Sequence, residues 1–125
     1  MRSALRIAIV LLGALFTLQG IVWIGDPGRE ASRLGMPLLE GAARSTQIGD
    51  LAAFFLTAGS TILIGARPGF ARLLYVPMGL FGFAAAARTL AWALQGAAFT
   101  GRFIAIEVGL AALLLAAALR LDREA

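Results

Sequence analysis

Three ionisable side chains lie inside apolar segments, and their chemistry is the first clue to what this chain does. Arg88 lies in the run AAAARTLAWALQ, and Asp50 and Glu107 each lie near the start of another apolar segment. An ionised side chain in hydrocarbon costs roughly 2.5–3.5 kcal/mol on insertion scales, so each is expected to find an opposite charge or water. An arginine beside carboxylates can hold helices together, or it can stabilise negative charge while a carboxyl transfers protons. We therefore take Asp50, Arg88 and Glu107 as candidate catalytic residues and as one interhelical polar cluster.

The composition indicates which elements carry these side chains. Of 125 residues, 60% are hydrophobic and 14% are charged, against about 25% charged in a typical soluble domain. The mean hydropathy is +0.87. Because a membrane-spanning helix takes about 20 residues, the chain has room for four spans and one longer connection. We predict an all-α membrane protein, a four-transmembrane-helix bundle.

Apolar runs separated by glycine, proline and arginine set the predicted limits of the spans. They lie at about residues 4–24, 48–66, 70–94 and 103–121, within one transmembrane domain that covers residues 1–125. The first run is longer than the apolar core of a signal peptide, about 7–15 residues, and does not end at a small-residue cleavage site. We expect it to remain as the first helix.

The longer connection, residues 26–47, is predicted to lie outside the membrane between helices one and two. Asp26 is a good N-cap and Pro27 a good first helical residue, so a short interfacial helix is expected over residues 27–34. A solvated loop and a functional lid both remain open for this segment.

Ser45 or Thr46 is expected to cap helix two. Such a cap places Asp50 in the first turn, where the helix dipole favours a carboxylate.

Four further polar or aromatic side chains are candidate binding residues because helical spacing or a similar level in the membrane places them near the charged three. Gln47 shares a face with Asp50, and Trp92 and Gln95 follow Arg88 at i+4 and i+7. The fourth, Gln19, lies near the outer end of helix one. We expect Trp92 to cover Arg88 in a cation–π contact, and Trp23, Trp92 and Tyr75 to mark the membrane interfaces.

The arginines predict the orientation, because cytoplasmic flanks of membrane proteins carry more positive charge. Six arginines flank the spans on the side of the termini and the second loop, and four lie on the other side: Arg29, Arg33, Arg44 and Arg102. We predict a multi-pass protein of the bacterial cytoplasmic (inner) membrane with both termini cytoplasmic. The three charged candidates then lie at one level near the outer surface, with a net charge of −1 if all are ionised.

Several classes of chemistry are excluded by residue type. The chain has no cysteine and no histidine, which argues against thiol catalysis and the usual zinc sites. It has no glycine-rich nucleotide motif, so we expect no metal and no cofactor. Its basic residues are scattered singly, which argues against nucleic acid. The expected partners are the lipid bilayer, a lipophilic small molecule, and a second copy or a larger membrane complex.

Four stretches together resemble a family of small bacterial four-helix membrane proteins of unknown function, DoxX-like in general build. They are the Asp26-Pro27 end of helix one, ARSTQIGDLAAFFLTAGS at 43–60, AARTLAWALQG at 86–96 and IEVGLAALLL at 106–115. The resemblance extends over nearly the whole chain and implies the four-helix fold, with no particular activity.

Three classes of function are compatible with these features. The first in rank is a structural or accessory membrane protein whose Asp/Arg/Glu cluster joins helices. The second is a small membrane enzyme that performs acid/base chemistry on a lipophilic substrate, with Asp50 or Glu107 as acid/base and Arg88 stabilising negative charge. The third is a dimeric proton-coupled exporter. It ranks last because transporters usually bind their substrates near the bilayer midplane, whereas the acids of this chain are predicted to lie near one surface.

The orientation can be tested with reporter fusions to the full chain. Green fluorescent protein at the C-terminus should fluoresce, because it folds in the cytoplasm, and alkaline phosphatase inserted between residues 36 and 40 should be active outside. An external C-terminus would contradict the assigned orientation.

Overall fold

The structure, a computed structural model, describes residues 2–123. Over this range the chain forms five α-helices and a short 3-10 helix, with no β-strand. The elements are α1 (Arg2–Gly25), α2 (Pro27–Arg33), α3 (Gly41–Gly65), the 3-10 helix (Ala71–Leu74), α4 (Tyr75–Gln95) and α5 (Gly101–Asp122). Four helical segments, α1, α3, α5 and Ala71–Gln95, are long and apolar enough to cross a membrane. The prediction of an all-helical chain with four such segments is confirmed.

Helix α3 begins earlier than the sequence indicated. It starts at Gly41 after an extended Glu40, so the prediction that Ser45 or Thr46 caps it was wrong. Asp50 consequently lies well inside the helix rather than in its first turn. Residues 42–48 contain no proline or glycine, and the Arg44 Nε donates a hydrogen bond to the Leu39 carbonyl at 2.6 Å. This side chain ties the first turns of α3 to the preceding loop.

The connection from α1 to α3 is therefore partly helical. Helix α2 begins at Pro27 as predicted and ends at Arg33, and Gly35 with a φ of +75° turns the chain after it. Only residues 34–40 lie between α2 and α3.

The closest helix pair is α1 with α3, which run antiparallel with glycine between them. A Cβ added at Gly59 would lie 2.8 Å from the Gly13 carbonyl oxygen, and one at Gly20 would lie 2.6 Å from the Leu56 side chain. The backbones of the two helices are therefore nearly in contact. Small residues allow this approach.

Helices α4 and α5 form the second antiparallel pair. Pro77 lies in the first turn of α4, where its missing N–H costs no hydrogen bond. The chain approaches α4 through the 3-10 helix, so the span predicted over residues 70–94 is a short 3-10 helix followed by an α-helix. At this end Arg72 lies 3.8 Å from Asp122, and Arg6 donates a hydrogen bond to the Ala66 carbonyl.

The two pairs meet differently at the two ends of the bundle. At the end that carries the chain termini, large buried side chains fill the centre: Ile9, Ile62, Leu74, Leu114 and Leu121. We call the opposite end, where α1 and α4 finish and α3 and α5 begin, the loop end. There the two pairs do not close upon each other, and a cavity remains between them.

Gly59→Ala tests the glycine contact. The added methyl must push α1 away from α3, so we expect a loss of roughly 1–3 kcal/mol in the free energy of unfolding in detergent. Gly49→Ala in the same helix is the control, because nothing lies within 4 Å of a Cβ there. It should leave stability unchanged or raise it by roughly 0.5–1 kcal/mol, as alanine does in a helix. Equal effects of the two substitutions would contradict the close approach.

Candidate ligand-binding cavity

A cavity of about 280 Å³ lies between the two helix pairs at the loop end. Most of its wall is apolar, and three polar side chains face it. The lining residues are Phe16, Gln19, Leu34, Leu51, Phe54, Phe55, Phe81, Ala84, Arg88, Phe103, Ile106, Glu107 and Leu110. Every one of the four long helices contributes to this wall. The volume is near the lower limit of the roughly 300–1,000 Å³ of small-molecule sites.

Four phenylalanine rings from three helices meet on one side of the cavity. Phe16 lies 5.0 Å from Phe81 and 6.0 Å from Phe55 between ring centroids. Phe54 meets Phe81 edge to face at 5.4 Å and Phe55 at 5.2 Å. Such tilted arrangements are the favoured geometries of aromatic pairs. The rings also hold α1 and α3 apart from α4, which leaves open space beside them.

The polar part of the wall is an ion pair between α4 and α5. The Arg88 Nε lies 2.8 Å from Glu107 Oε1, with 29% of the arginine side chain and 12% of the glutamate side chain exposed. The guanidinium also donates to the Thr100 hydroxyl at 3.4 Å and lies over the Phe103 ring at 4.8 Å. Each contact comes from α5 or the residue before it, so Arg88 is anchored within one helical hairpin.

Asp50 does not join this pair. It is exposed on α3, while its neighbour Leu51 lines the cavity about 100° further around the helix. The expectation that all three charges meet was therefore wrong. Helix α3, which carries Asp50, packs on α1, whereas Arg88 faces α5. Asp50 and Arg88 therefore do not meet, although they were predicted to lie at the same level along the bundle. The charged groups that line the cavity sum to zero rather than to −1.

Gln19 of α1 does face the cavity. Its Oε1 is buried and accepts no hydrogen bond from any residue that the structure describes. Buried polar atoms usually have a partner, and one without a partner calls for an explanation. Of the four candidate binding residues, Gln19 is the one that lies with Arg88 and Glu107 in the wall.

Gln47 is buried, but it binds the loop that precedes α3. Its Oε1 accepts a hydrogen bond from the Leu39 N–H at 2.9 Å, and its Nε2 donates to the Pro37 carbonyl at 3.1 Å. Both ends of the amide are thus used within the chain. Gln47 fixes the segment 36–39, and it does not line the cavity.

The prediction that Trp92 forms a cation–π contact with Arg88 was wrong. Trp23 is fully buried against Ala31 and Ala52, and its position at a membrane interface stays a prediction. Trp92 is half exposed and meets Phe99 at 5.2 Å, while the ring under Arg88 belongs to Phe103. Gln95 is exposed at the end of α4. Neither Trp92 nor Gln95 lines the cavity.

Phe103 and the group of four phenylalanines were not predicted from the sequence. Phe103 precedes Glu107 by four residues and so shares its face of α5, a spacing that could have identified it as a neighbour of Arg88. The four rings carry no such signal, because phenylalanine in an apolar helix is equally suited to lipid and to a core.

No metal centre is evident in the described part of the chain. Within residues 2–123, no three Asp, Glu, His or Cys side chains come close enough together to hold a metal ion.

A scan against protein-family models, a search of the curated proteins and a search of the solved structures each found no match. The resemblance to DoxX-like proteins stays a prediction, and the function must be argued from the cavity itself.

Arg88→Met tests the ion pair. The substitution leaves Glu107 nearly buried without its partner, and breaking a fully buried pair costs roughly 3–5 kcal/mol. We expect a smaller loss in the free energy of unfolding, because the arginine is partly exposed.

The control is Arg102→Met, which removes an exposed arginine at the same end of the bundle. Adding Glu107→Gln to Arg88→Met should recover part of the lost stability. If Arg88→Met and Arg102→Met lower the free energy of unfolding equally, the Arg88–Glu107 pair does not stabilise the fold.

Proposed function

We propose that this chain is a multi-pass membrane protein that binds a small lipophilic molecule in its interhelical cavity. The observation that carries the proposal is a largely apolar cavity whose wall includes an arginine–glutamate pair and the Gln19 side chain. An apolar cleft with a few converging polar groups is the usual form of a ligand site.

Insertion into a membrane is the first part of the proposal. It is supported by four helical segments long and apolar enough to span a bilayer and by large apolar side chains exposed on them. Examples are Leu11, Phe83 and Leu94, each more than 60% exposed. Apolar surface of this extent is unfavourable in water and is covered by lipid in a membrane. Our proposal retains the bacterial cytoplasmic membrane, with cytoplasmic termini.

The cavity favours ligand binding over a purely structural role for Arg88. An ion pair that only joins α4 to α5 needs no space beside it, whereas a ligand site needs a concave, largely apolar wall with a few polar groups. This cavity has such a wall. The polar groups at one end would then orient the bound molecule, while the phenylalanine rings contact its apolar body.

A structural or accessory role is the second candidate, and one observation supports it. Arg88 contacts Glu107, Phe103 and Thr100, so it ties α4 to the start of α5 regardless of any ligand. For the enzyme hypothesis, one of the two candidate acid/base carboxyl groups remains. Since Asp50 lies outside the cavity, Glu107 is the acid/base candidate for any turnover of the bound molecule.

Ala84→Phe tests ligand binding with naphthalene as the probe. Ala84 lines the cavity, so a benzyl group there should fill it and exclude the probe. A molecule that binds the folded state stabilises it by mass action. We expect saturating naphthalene to raise the melting temperature of the full chain in nanodiscs, and Ala84→Phe to abolish that rise.

The control is Ala87→Phe, which adds the same group at an exposed position of α4 outside the cavity. It should keep the response to naphthalene. If the probe stabilises Ala84→Phe as much as the unsubstituted chain, binding takes place elsewhere and the proposal fails.

A further inference from the structure

We infer that a second site, at the end of the bundle that carries the chain termini, binds the phosphate group of an anionic phospholipid. The site is a cavity of about 390 Å³ between the start of α1 and the end of α5, and the described residues that line it are Arg2, Leu5, Arg120 and Arg123. Since a cavity of about 150 Å³ holds benzene, a phosphoglycerol group fits in this space. The site depends on membrane insertion, as proposed above, but not on ligand binding at the loop end.

The net charge of the chain is concentrated at this end. By sequence, six arginines and two acids, Asp122 and Glu124, flank the spans on this side, whereas the other five arginines of the chain are balanced by five acids. The net charge of +4 therefore belongs wholly to the end that carries this second cavity. Asp122 lies 3.8 Å from Arg72 of the 3-10 helix and does not line the cavity. An anion is consequently attracted to this end of the bundle.

Three guanidinium groups around one space favour a phosphate. A guanidinium can donate two parallel hydrogen bonds to phosphate oxygens, and such charge-assisted bonds are stronger than neutral ones. Arg120 and Arg123 are three residues apart and so are neighbours on α5, and Arg2 of α1 lines the same cavity. Arg2 and Arg120 each make a further interaction within the chain. Because every guanidinium has five N–H donors, others remain for a ligand.

The surroundings favour a lipid over a soluble phosphate compound. Both α1 and α5 are long and apolar enough to cross a membrane, and the arginines lie at their ends, at the level of a lipid headgroup. Leu5 gives the cavity an apolar wall, and Leu113 is exposed two turns from Arg120 on the same face of α5. An acyl chain can therefore extend along α5 while the phosphate contacts the arginines. Basic pockets between membrane-spanning helices are sites of this kind.

Binding of single lipids to the full-length chain in detergent is measured by native mass spectrometry. Detergent is used because a bilayer surface rich in anionic lipid attracts every arginine near it. The ligands are dioleoylphosphatidylglycerol, which is an anion, and dioleoylphosphatidylcholine, which has the same acyl chains and a phosphate but no net charge. We expect phosphatidylglycerol to bind at least about fivefold more tightly than phosphatidylcholine. Equal affinities of the two lipids would overturn the site.

Arg123→Gln removes one guanidinium from the lining at an exposed position. It should weaken the binding of phosphatidylglycerol about fivefold, the ratio for one arginine near an anionic headgroup, and leave phosphatidylcholine nearly unaffected. Arg2→Gln makes the same change on α1 and should have a similar effect.

The matched control is Arg67→Gln, which removes an exposed arginine that lies over Phe70 at the same end but outside the cavity. It should keep the affinity for phosphatidylglycerol. Equal weakening by Arg67→Gln and Arg123→Gln would show an attraction spread over the whole end of the bundle, and it would overturn a defined site.

Glycerol 3-phosphate distinguishes a lipid from a soluble phosphate compound. It should bind at least about tenfold more weakly than phosphatidylglycerol, because it has no acyl chain to bury against α5. If the two bind equally, the ligand is a soluble phosphate compound and its assignment as a lipid is overturned. If naphthalene does not bind at the loop end but Arg123→Gln still weakens the binding of phosphatidylglycerol, the proposed function fails and this second site stands.

Discussion

The contact of α1 and α3 across glycine is the constraint on which the rest of the structure depends. At Gly59 a Cβ would lie 2.5 Å from the Thr17 backbone nitrogen and 2.8 Å from the Gly13 carbonyl oxygen, so no side chain fits at this position. Between the two helix pairs, phenylalanines from α1, α3 and α4 pack against one another with ring centroids 5.0 and 5.4 Å apart. Four helices packed this unevenly form two tight pairs and leave room between the pairs. The cavity is thus a consequence of which helices carry glycine and which carry phenylalanine at the contact.

The same pairing decides the electrostatics. Arg88 and Glu107 belong to the α4–α5 hairpin, whose connection spans only residues 96–100, and they meet within it at 2.8 Å. Asp50 belongs to the other pair and stays outside. Charged groups in apolar surroundings are favoured when they are paired, and Arg88 and Glu107 pair at 2.8 Å without a third charged residue. The cavity wall therefore has polar character and no net charge, and Gln19 adds an amide to it.

Hydropathy and charge were sufficient to predict the four long helices. Arg88 and Glu107 were predicted to lie at the same height along the bundle, and this was sufficient to predict their contact. What they could not predict was the direction in which a side chain points around its helix. Asp50, Trp92 and Gln95 lie at suitable heights but face away from the cavity, because their direction depends on which helices are neighbours. The start of α3 was also missed, because hydropathy marks where a segment becomes apolar and not where the backbone becomes helical. Gln19 alone among the binding candidates had both the right height and the right direction.

Trp23 and Gln47 have a structural role that their residue types did not predict. Both lie outside the cavity wall, yet they fix the segment between α1 and α3: Trp23 packs against Ala31 of α2, and Gln47 binds Leu39 and Pro37 through both ends of its amide. That segment contains Leu34, which lines the cavity. A connection held by a buried indole and a satisfied amide cannot move freely as a solvated loop would, because each displacement breaks hydrogen bonds or exposes apolar surface. The connection is therefore part of the rigid wall of the cavity, and a ligand that contacts Leu34 meets a surface already in place.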